Sequence, residues 1–398
     1  MELSQPGTPP REGDEARAAI PFNRAARAGD EHRNIELAIK GGHLAADGPF
    51  TERCGEILAE LLGSPVLLVH SCTAALEIAA ILAEIGPGDE VIMPSYTFVS
   101  TANAFVLRGA TPVFVDVRPG TLNIDPDAAA AAVGPRTKAI APVHYAGVGC
   151  EMSSLCALAA ERDLFVIEDA AQGLHAALDG RPLGTFGQLG ALSFHETKNV
   201  TCGEGGALIV NDEALMERAE ILREKGTDRS KFFRGQVDKY TWVDVGSSYA
   251  LSELGAAFLK SQLDAAERLT ARRLEIWAAY HAAFEGLEGE GRLRRPTVPE
   301  SCAHNAHMYY LVMRSRDDRE ALIAHLRELG IHAVFHYVPL HSSPAGLRYG
   351  RTPAPLPVTD ELSGRLVRLP LWADMDDADV RRVVDGVLAF AGSPGGAD

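Results

Sequence analysis

One lysine of this chain stands in a setting that suits covalent chemistry. Lys198 follows an apolar run, residues 191–194, that predicts a short buried strand, and it precedes a glycine-rich segment, residues 202–206. Ser193 lies five residues before the lysine and can hold a phosphate, while the glycines allow the backbone to approach a cofactor closely. The pattern suits a lysine that forms a Schiff base, although an ordinary surface-loop lysine has the same local surroundings.

Two acids end another apolar run. Residues 164–167 (LFVI) predict a buried strand; Glu168 and Asp169 follow it directly, and Gln172 comes shortly after. Ligands of open α/β sheets sit at the carboxyl ends of the strands, where an unpaired buried carboxylate would be costly. An acid at this place can keep a pyridinium nitrogen protonated, which makes the ring a better electron sink. The alternative is that one acid caps a helix and the other is solvated.

Hydroxyl and aromatic side chains follow two earlier strand-like runs. Ser71 and Thr73 stand at the start of a predicted helix, where free N–H groups and the helix dipole favour a phosphate. An ordinary helix cap is the alternative for these two residues. Tyr96 and Phe98 follow the next strand and could stack on a flat ring, although aromatic residues at such places more commonly belong to the core.

The elements that must position these residues alternate between strand and helix from residue 65 onward, which predicts a doubly wound α/β domain. The polar and aromatic segment 226–249 predicts a long structured loop. We expect a flexible arm (1–20), a large domain (21–265), and a smaller α+β domain (266–398) that begins with a linking helix (266–290). The predicted strands are 66–69, 90–93, 112–117, 138–143, 164–167, 191–194, 207–210, 307–313 and 334–339, and the predicted helices are 31–39, 50–62, 74–85, 100–107, 155–162, 213–225, 251–285, 317–329 and 377–391.

Composition argues against several classes of function. The 398 residues carry a net charge of −16 and no long basic run, so nucleic-acid binding is not expected. The six cysteines form no C-x-x-C pair and no cluster at metal-ligand spacing, which predicts no metal site and fits a reducing cytoplasm. We expect neither a signal peptide nor a membrane span, because the first fifteen residues are polar and no apolar stretch reaches about 18 residues.

Taken in chain order, these residues supply phosphate anchors, a stacking face, a pyridinium partner and an imine-forming lysine, which are the parts of a pyridoxal phosphate site. The sequence resembles the sugar aminotransferase family of fold-type I pyridoxal phosphate enzymes over roughly residues 20 to 391. Within the family it is most similar to the dTDP-4-amino-4,6-dideoxyhexose transaminases. The resemblance to the family is carried by SCTAALE (71–77), GDEVIMPSYTFVSTANA (88–104), PVFVDV (112–117), VIEDAAQG (166–173), LSFHETKN (192–199), HMYYLV (307–312) and HYVPLH (336–341). The similarity to this branch is carried by HETKNVTCGEGG (195–206), REKGTDRSKFFRGQVDKYTW (223–242) and GSSYALSELGAA (246–257).

The resemblance implies a large domain with a mainly parallel seven-stranded sheet flanked by helices, and it implies roles for residues around the cofactor. Lys198 would form the imine with pyridoxal phosphate and move the proton during transfer. Asp169 would pair with the pyridine nitrogen, and Gln172 would bond the ring 3-oxygen. Phe98 would stack on the ring, with Tyr96 as the second candidate. The phosphate ligands would be Thr73, Ala74 and Ser193.

The resemblance also implies a homodimer with shared active sites, in which segment 226–249 reaches the neighbouring site. Many relatives carry an Asn that reaches the partner's cofactor phosphate at the position of Ser248, whose shorter hydroxyl could still donate a hydrogen bond. The candidate substrate-binding residues are His336, Tyr337, Arg229 and Tyr240.

The expected reaction is transfer of the amino group of L-glutamate to C4 of dTDP-4-keto-6-deoxy-D-glucose, for antibiotic or surface-glycan sugars. The product would be a gluco or galacto 4-amino sugar. Relatives that deoxygenate the sugar have histidine in place of the lysine, so Lys198 favours transamination and His195 is interpreted as local structure. The alternatives are another keto nucleotide sugar, either 3-keto or UDP-linked, and a non-catalytic regulator that binds the cofactor.

Overall fold

Short runs rich in Val, Ile and Leu form the strands of this protein, as their alternation with helical segments predicts. A computed structural model describes residues 18–392, so most of the predicted arm lies outside the described residues. The strands are β1 (Val66–Val69), β2 (Glu90–Pro94), β3 (Thr111–Val115), β4 (Thr137–Ile140), β5 (Phe165–Asp169), β6 (Ala177–Leu178), β7 (Arg181–Pro182), β8 (Leu189–Ser193), β9 (Gly206–Val210), β10 (Leu293–Arg294), β11 (Cys302–Ala303), β12 (Tyr309–Met313), β13 (Val334–Phe335) and β14 (Leu366–Leu369).

Helices connect these strands, and several begin at a side-chain cap. The hydroxyl of Ser71 accepts a hydrogen bond from the Ala74 amide at one helix start, and Ser252 and Ser315 cap two others in the same way. The helices are α1 (Glu31–Gly41), α2 (Pro49–Leu62), α3 (Cys72–Leu82), α4 (Val99–Val106), α5 (Pro126–Ala132), α6 (Met152–Arg162), α7 (Met216–Arg223), α8 (Arg229–Phe233), α9 (Glu253–Asp264), α10 (Ala266–Ala283), α11 (Glu285–Gly289), α12 (Arg316–Glu328), α13 (Pro344–Tyr349), α14 (Pro357–Arg365) and α15 (Asp377–Gly392).

A seven-stranded sheet in the order β1-β9-β8-β5-β4-β2-β3 forms the centre of the larger part of the molecule. The pairs β2–β3, β2–β4, β4–β5 and β5–β8 are parallel, whereas β9 runs antiparallel to both β8 and β1. Since β9 alone is reversed, the carboxyl ends of the other six strands meet at one edge of the sheet. The predicted α/β architecture with a mainly parallel seven-stranded sheet is confirmed.

A second, antiparallel sheet in the order β10-β12-β14-β13 supports the C-terminal part. One face packs with α10, α12 and α15 in a core that includes Leu322, Val367 and Val383. Ile20, at the end of the predicted arm, belongs to this core and forms a parallel β-bridge with Ile331. The opposite face of the sheet contributes Tyr310 and neighbouring residues to a cluster shared with the central sheet.

Several boundaries differ from the sequence-based prediction, each for a local reason. The single helix predicted over 251–285 is wrong: the chain breaks at Ala265 between α9 and α10 and again at Phe284 before α11. Of the strand predicted over 334–339, only β13 forms. Pro339 and Pro344 follow it, and the backbone leaves the sheet before them. The loop predicted over 226–249 contains the short helix α8. The sequence-based prediction also missed the alanine-rich helix α5 and the strand β14.

Within residues 18–392, no helix is both long and apolar enough to cross a membrane.

The buried carboxylate of Glu168 offers a test of this fold. It accepts hydrogen bonds from the amides of Gly184 (3.0 Å), Phe186 (2.6 Å) and Gly187 (2.7 Å) and from His144 Nε2 (2.8 Å). A glutamine would turn an N–H group toward these donors, so Glu168→Gln should destabilise the protein by about 2–4 kcal/mol. Chemical denaturation measures the loss, and Glu151→Gln at an exposed ion pair should change stability by less than about 1 kcal/mol. Equal stability of the two variants would contradict this role.

Candidate active site

The carboxyl edge of the central sheet brings the predicted site residues together. Asp169 ends β5, Ser193 ends β8, and the loop after β8 carries Lys198. The turn after β1 leads into α3 with Thr73 in its first turn, and the turn after β2 carries Phe98 immediately before α4. Residues spread over more than a hundred positions of sequence therefore converge at one edge, as expected for an open α/β sheet.

Lys198 lies half-buried in a loop closed by its own backbone. The Lys198 amide donates to the carbonyl of His195 (2.9 Å), and the Cys202 amide donates to the carbonyl of Phe194 (2.9 Å). Burial lowers the pKa of Lys198, and the nearby thiol of Cys72 and carboxylate of Asp169 oppose this shift. The neutral amine, which is the nucleophilic and proton-accepting form, is therefore present at lower pH than for an exposed lysine.

His195 makes local contacts within the lysine loop. Its Nδ1 lies 2.9 Å from the hydroxyl of Thr197, and its Nε2 lies 3.6 Å from a carboxylate oxygen of Glu204. The ring thus stabilises the turn that carries the lysine, in agreement with the interpretation of His195 as local structure.

Asp169 is buried and held by two donors. The hydroxyl of Thr101 donates to Oδ2 at 2.6 Å, and the Ala171 amide donates to Oδ1 at 3.1 Å. Thr97 lies 2.8 Å from the Thr101 hydroxyl, so a chain of hydroxyls runs from Thr97 through Thr101 to the carboxylate. These bonds fix the carboxylate and leave it free to accept a further hydrogen bond from a ligand.

The neighbouring acid, Glu168, serves the fold. It points to the opposite side of β5 from Asp169, as successive strand residues do, and both of its oxygens are bonded to backbone amides. His144 Nδ1 accepts from the Cys150 amide, so the ring proton is on Nε2 and is donated to Glu168. Glu168 and Asp169 are both buried, and neither caps a helix. The alternative interpretation, a helix cap and a solvated acid, is therefore wrong.

Gln172 links the edge of the central sheet to the C-terminal part. Its Oε1 accepts from the Ala146 amide (2.7 Å), and its Nε2 donates to the hydroxyl of Tyr337 (3.3 Å). Its backbone carbonyl accepts from Asn305, which also bonds the carbonyl of Leu174. The Gln172 side chain is therefore fixed next to a candidate substrate residue.

The start of α3 carries the predicted phosphate ligands Thr73 and Ala74, and Ser71 there is an ordinary helix cap. The Ser71 hydroxyl accepts from the Ala74 amide (3.1 Å), and the hydroxyls of Thr73 and Ser100 are 2.8 Å apart. Gly206 on β9 packs directly against this turn: a Cβ added there would lie 2.4 Å from the Cys72 nitrogen. Glycine at this position is what lets the strand approach the helix start.

The two aromatic candidates for stacking differ in exposure. Tyr96 is 1% exposed and packs against Tyr145, His336 and Tyr337, whereas Phe98 is 57% exposed and its ring centroid lies 6.4 Å from that of Tyr337. Phe98 is therefore the residue available to a flat ligand. Tyr96 instead supports the two candidate substrate residues that follow β13.

The remaining candidates lie in segment 226–249. The Arg229 guanidinium lies 3.9 Å from the Glu224 carboxylate, and the ring of Tyr240 packs edge-on against Phe232. Ser248 is exposed and forms an antiparallel β-bridge with Glu224. The segment ends beside the start of α3, because the His70 amide donates to the carbonyl of the residue after Ser248. Within one chain, the contacts of these three candidates are thus with their own region rather than with Lys198.

Sequence reasoning missed several residues that hold the site. The i, i+4 spacing of Thr97 and Thr101 around the start of α4 was a usable signal, because it places both hydroxyls on one side. Asn199, next to the lysine, donates to the Asn305 carbonyl (2.9 Å) and lies 3.0 Å from His307 Nδ1. No local pattern indicated this second link, which joins positions more than a hundred residues apart.

A mainly parallel seven-stranded sheet that presents a lysine, a buried aspartate and a helix start at one edge defines the fold-type I class of pyridoxal phosphate-dependent transferases. A model of the DegT/DnrJ/EryC1/StrS aminotransferase family matches residues 26–388. The chain belongs to this family, whose members are pyridoxal phosphate-dependent aminotransferases.

Named relatives place the chain among sugar aminotransferases. It is 34% identical to the spore coat polysaccharide biosynthesis protein SpsC of Bacillus subtilis, over 92% of this chain and 96% of that protein. The structure of S. venezuelae DesV in complex with a ketimine intermediate superposes with a TM-score of 0.86 at 30% identity, covering 94% of this chain and 99% of DesV. The sugar aminotransferase CalS13 of Micromonospora echinospora superposes with a TM-score of 0.84 at 28% identity, covering 93% of this chain and 99% of CalS13.

The hydroxyl that holds Asp169 can be tested directly. Thr101→Val keeps the shape of the side chain but removes a 2.6 Å hydrogen bond to the carboxylate. Loss of such a positioning bond should lower kcat about 10- to 100-fold. Steady-state kinetics measure this, and Thr97→Val, one hydroxyl further from the carboxylate, should have the smaller effect. A larger effect of Thr97→Val would contradict the order of this hydroxyl chain.

Proposed function

We propose that this protein transfers the amino group of L-glutamate to C4 of dTDP-4-keto-6-deoxy-D-glucose in a ping-pong reaction. The observation that carries the proposal is the half-buried Lys198, with a lowered pKa, at the sheet edge that also carries the buried Asp169. The particular substrate rests on the resemblance of segments such as HETKNVTCGEGG (195–206) and GSSYALSELGAA (246–257) to the dTDP-4-amino-4,6-dideoxyhexose transaminases.

The residues present fit pyridoxal phosphate. Asp169 is fixed by two donors and can accept a hydrogen bond from the protonated pyridine nitrogen. Gln172, whose Oε1 accepts from the Ala146 amide, would bond the ring 3-oxygen. The exposed face of Phe98 can stack on the ring. The phosphate would be held by Thr73, Ala74 and Ser193 around the start of α3, where the helix dipole favours an anion. The Ala74 amide would then exchange its bond to the Ser71 hydroxyl for one to the phosphate.

The chain's own groups then perform the proton transfers. Pyridoxal phosphate, when bound, carries the amino group between the two substrates and delocalises the electrons of the broken bond. Lys198 Nζ removes the proton from the α-carbon of glutamate and, in the second half-reaction, delivers a proton to C4 of the sugar. Asp169 keeps the ring nitrogen protonated throughout, and burial keeps Lys198 neutral when it must accept a proton.

The same proposal includes a cytoplasmic homodimer with shared sites. Segment 226–249 exposes large apolar side chains, of which Phe233 is 68% and Trp242 is 78% exposed. Several exposed large apolar side chains within one segment are typical of a protein–protein interface. Pairing through this segment would bring Arg229, Tyr240 and Ser248 to the partner's site, where the first two contact substrate and Ser248 contacts the cofactor phosphate.

Lys198 is tested by replacement. Lys198→Ala should lose the absorbance of the lysine–cofactor imine and lower turnover by about 1,000-fold or more, because both the imine and the proton carrier are removed. Absorbance spectra and product assays measure the two effects. Lys260→Ala on α9 is the matched control and should retain the spectrum and the activity. Full activity of Lys198→Ala would disprove the assignment.

The substrate is tested with a panel of keto nucleotide sugars. With glutamate as donor, dTDP-4-keto-6-deoxy-D-glucose should give the highest kcat/KM, above 3-keto and UDP-linked sugars, and NMR should show nitrogen on C4. The H3–H4 coupling then separates the gluco product, with an equatorial amine, from the galacto product. Higher kcat/KM with a 3-keto or UDP-linked sugar would overturn the substrate assignment while leaving the aminotransferase assignment intact.

A further inference from the structure

The segment that carries His336 and Tyr337 is attached to the protein at both of its ends. At one end, β13 pairs with β14 of the C-terminal sheet. At the other end, the Leu340 amide donates a hydrogen bond to the carbonyl of Ser95 at 3.0 Å. Only the four residues 336–339 lie between these two attachments. Their placement therefore depends on both ends, because so short a stretch of chain can reach only a narrow range of positions.

Ser95 forms the attachment on the central sheet. It directly follows β2, its amide donates to the carbonyl of Val115 at 3.2 Å, and the residue is fully buried. Its hydroxyl accepts a hydrogen bond from the His341 amide at 3.0 Å and lies 2.7 Å from His341 Nδ1. The carbonyl and the hydroxyl of Ser95 thus hold two consecutive residues, Leu340 and His341.

The ring of His341 completes this attachment. Because the Ser95 hydroxyl already accepts the His341 amide, its own hydrogen is available to Nδ1, and the ring proton is then on Nε2. Nε2 lies 3.2 Å from Oδ1 of Asp360, in the first turn of α14. The Asp360 side chain is 60% exposed, so this contact contributes little compared with the buried bond to Ser95.

The end of the neighbouring strand holds α14. Asp116, which follows β3, accepts hydrogen bonds from the amides of Val358 (3.0 Å) and Thr359 (2.8 Å) and from the Thr359 hydroxyl (2.7 Å). Since β2 and β3 are parallel neighbours, Ser95 and Asp116 follow them side by side at the carboxyl edge of the sheet. Two adjacent strand ends therefore fix residues 340–360 of the C-terminal part to the edge that carries the candidate active site.

The attachment lies next to the rings that surround the candidate substrate residues. Tyr96 directly follows Ser95, and its ring centroid is 5.6 Å from that of Tyr337 and 6.4 Å from that of His336. The hydroxyl of Tyr145 lies 3.0 Å from His336 Nδ1. A displacement at Ser95 would therefore reach His336 and Tyr337 by two routes, through residues 336–339 and through the Tyr96 ring.

We propose that Ser95 and His341 are positioning residues that hold His336 and Tyr337 where these bind the keto sugar, an inference that deepens the function proposed above and rests on it. Ser95 is fully buried and its polar atoms are bonded within the protein, so it acts through the segment and not by touching the sugar. The kinetic signature follows from this role. The half-reaction with L-glutamate does not use the sugar contacts, whereas the half-reaction with the sugar does.

His341 allows a matched pair of variants. In asparagine the side-chain oxygen takes the place of Nδ1 and can accept from Ser95, whereas the polar atoms of glutamine reach the place of Nε2. His341→Gln and Ser95→Ala should raise the KM of the keto sugar about 10-fold, and His341→Asn should stay within about threefold of the wild type. Single-turnover rates of the holoenzyme with L-glutamate, read from the cofactor absorbance, should stay within about threefold for all three variants.

Hydrogen exchange measures the attachment itself in the holoenzyme without substrate. The His341 amide donates to the Ser95 hydroxyl, so Ser95→Ala should accelerate exchange of peptide 336–342 about 10-fold. His341→Gln should accelerate it as well, and His341→Asn should not. Ser315→Ala is the control, because it also removes a hydroxyl that accepts a backbone amide but lies at the start of α12. It should change neither the exchange of this peptide nor the KM of the sugar.

The outcomes separate this inference from the proposed function. Unchanged KM of the sugar in Ser95→Ala and His341→Gln would overturn the positioning role. Equal effects of His341→Asn and His341→Gln, or equal losses in both half-reactions, would also overturn it, because the effect would then belong to the fold in general. If the wild-type protein aminates no keto sugar, the proposed function fails. Faster exchange in Ser95→Ala and His341→Gln but not in His341→Asn would then still support the placement of His336 and Tyr337 by Ser95.

Discussion

The architecture of the site depends on keeping one carboxylate charged inside the protein. Asp169 ends the central strand β5 and is 5% exposed, so its charge must be compensated by the groups around it. The protein supplies a hydroxyl from α4 and a backbone amide from the turn after β5. The carboxylate can still accept a hydrogen bond at the sheet edge. In the proposed function the protonated ring nitrogen donates that bond. A carboxylate held in this way is preorganised, because no solvent must reorganise when the ligand binds.

Successive side chains of a β-strand point to opposite faces of the sheet, which explains why two adjacent acids have different roles. Glu168 faces away from the site and collects three backbone amides and the Nε2 proton of His144, which ties the loop after β7 to the turn after β4. Asp169 faces the site and retains an acceptor for a ligand. Shifting the register of β5 by one residue would exchange these environments, so the structural bonds of Glu168 also secure the orientation of Asp169.

Hydrogen bonds of Asn199, the residue next to Lys198, join the two sheets. Asn199 bonds the backbone of Asn305 and the ring of His307, and Asn305 in turn bonds the carbonyls of Gln172 and Leu174. This polar network is buried and links the loop of Lys198 to the segment that leads into β12 of the C-terminal sheet. The geometry of the lysine loop is thus set by one connected set of hydrogen bonds.

Much of this protein could be predicted from its sequence because the signals are local. Apolar runs bounded by turn residues predicted the central strands within a few positions, and the order of Thr73, Asp169, Ser193 and Lys198 indicated the chemistry and the family. The helix break at Ala265 and the short strand β14 were missed, since tertiary packing and not local propensity determines them.

Tertiary structure alone decided which acid faces the ligand, which aromatic ring is open, and how Asn199 and Asn305 connect the two sheets. These facts depend on contacts between residues that are far apart in the chain, and no periodicity or spacing encodes such contacts. Lys198 itself looked ordinary in its own segment, and its altered pKa arises from burial that only the assembled sheet edge provides.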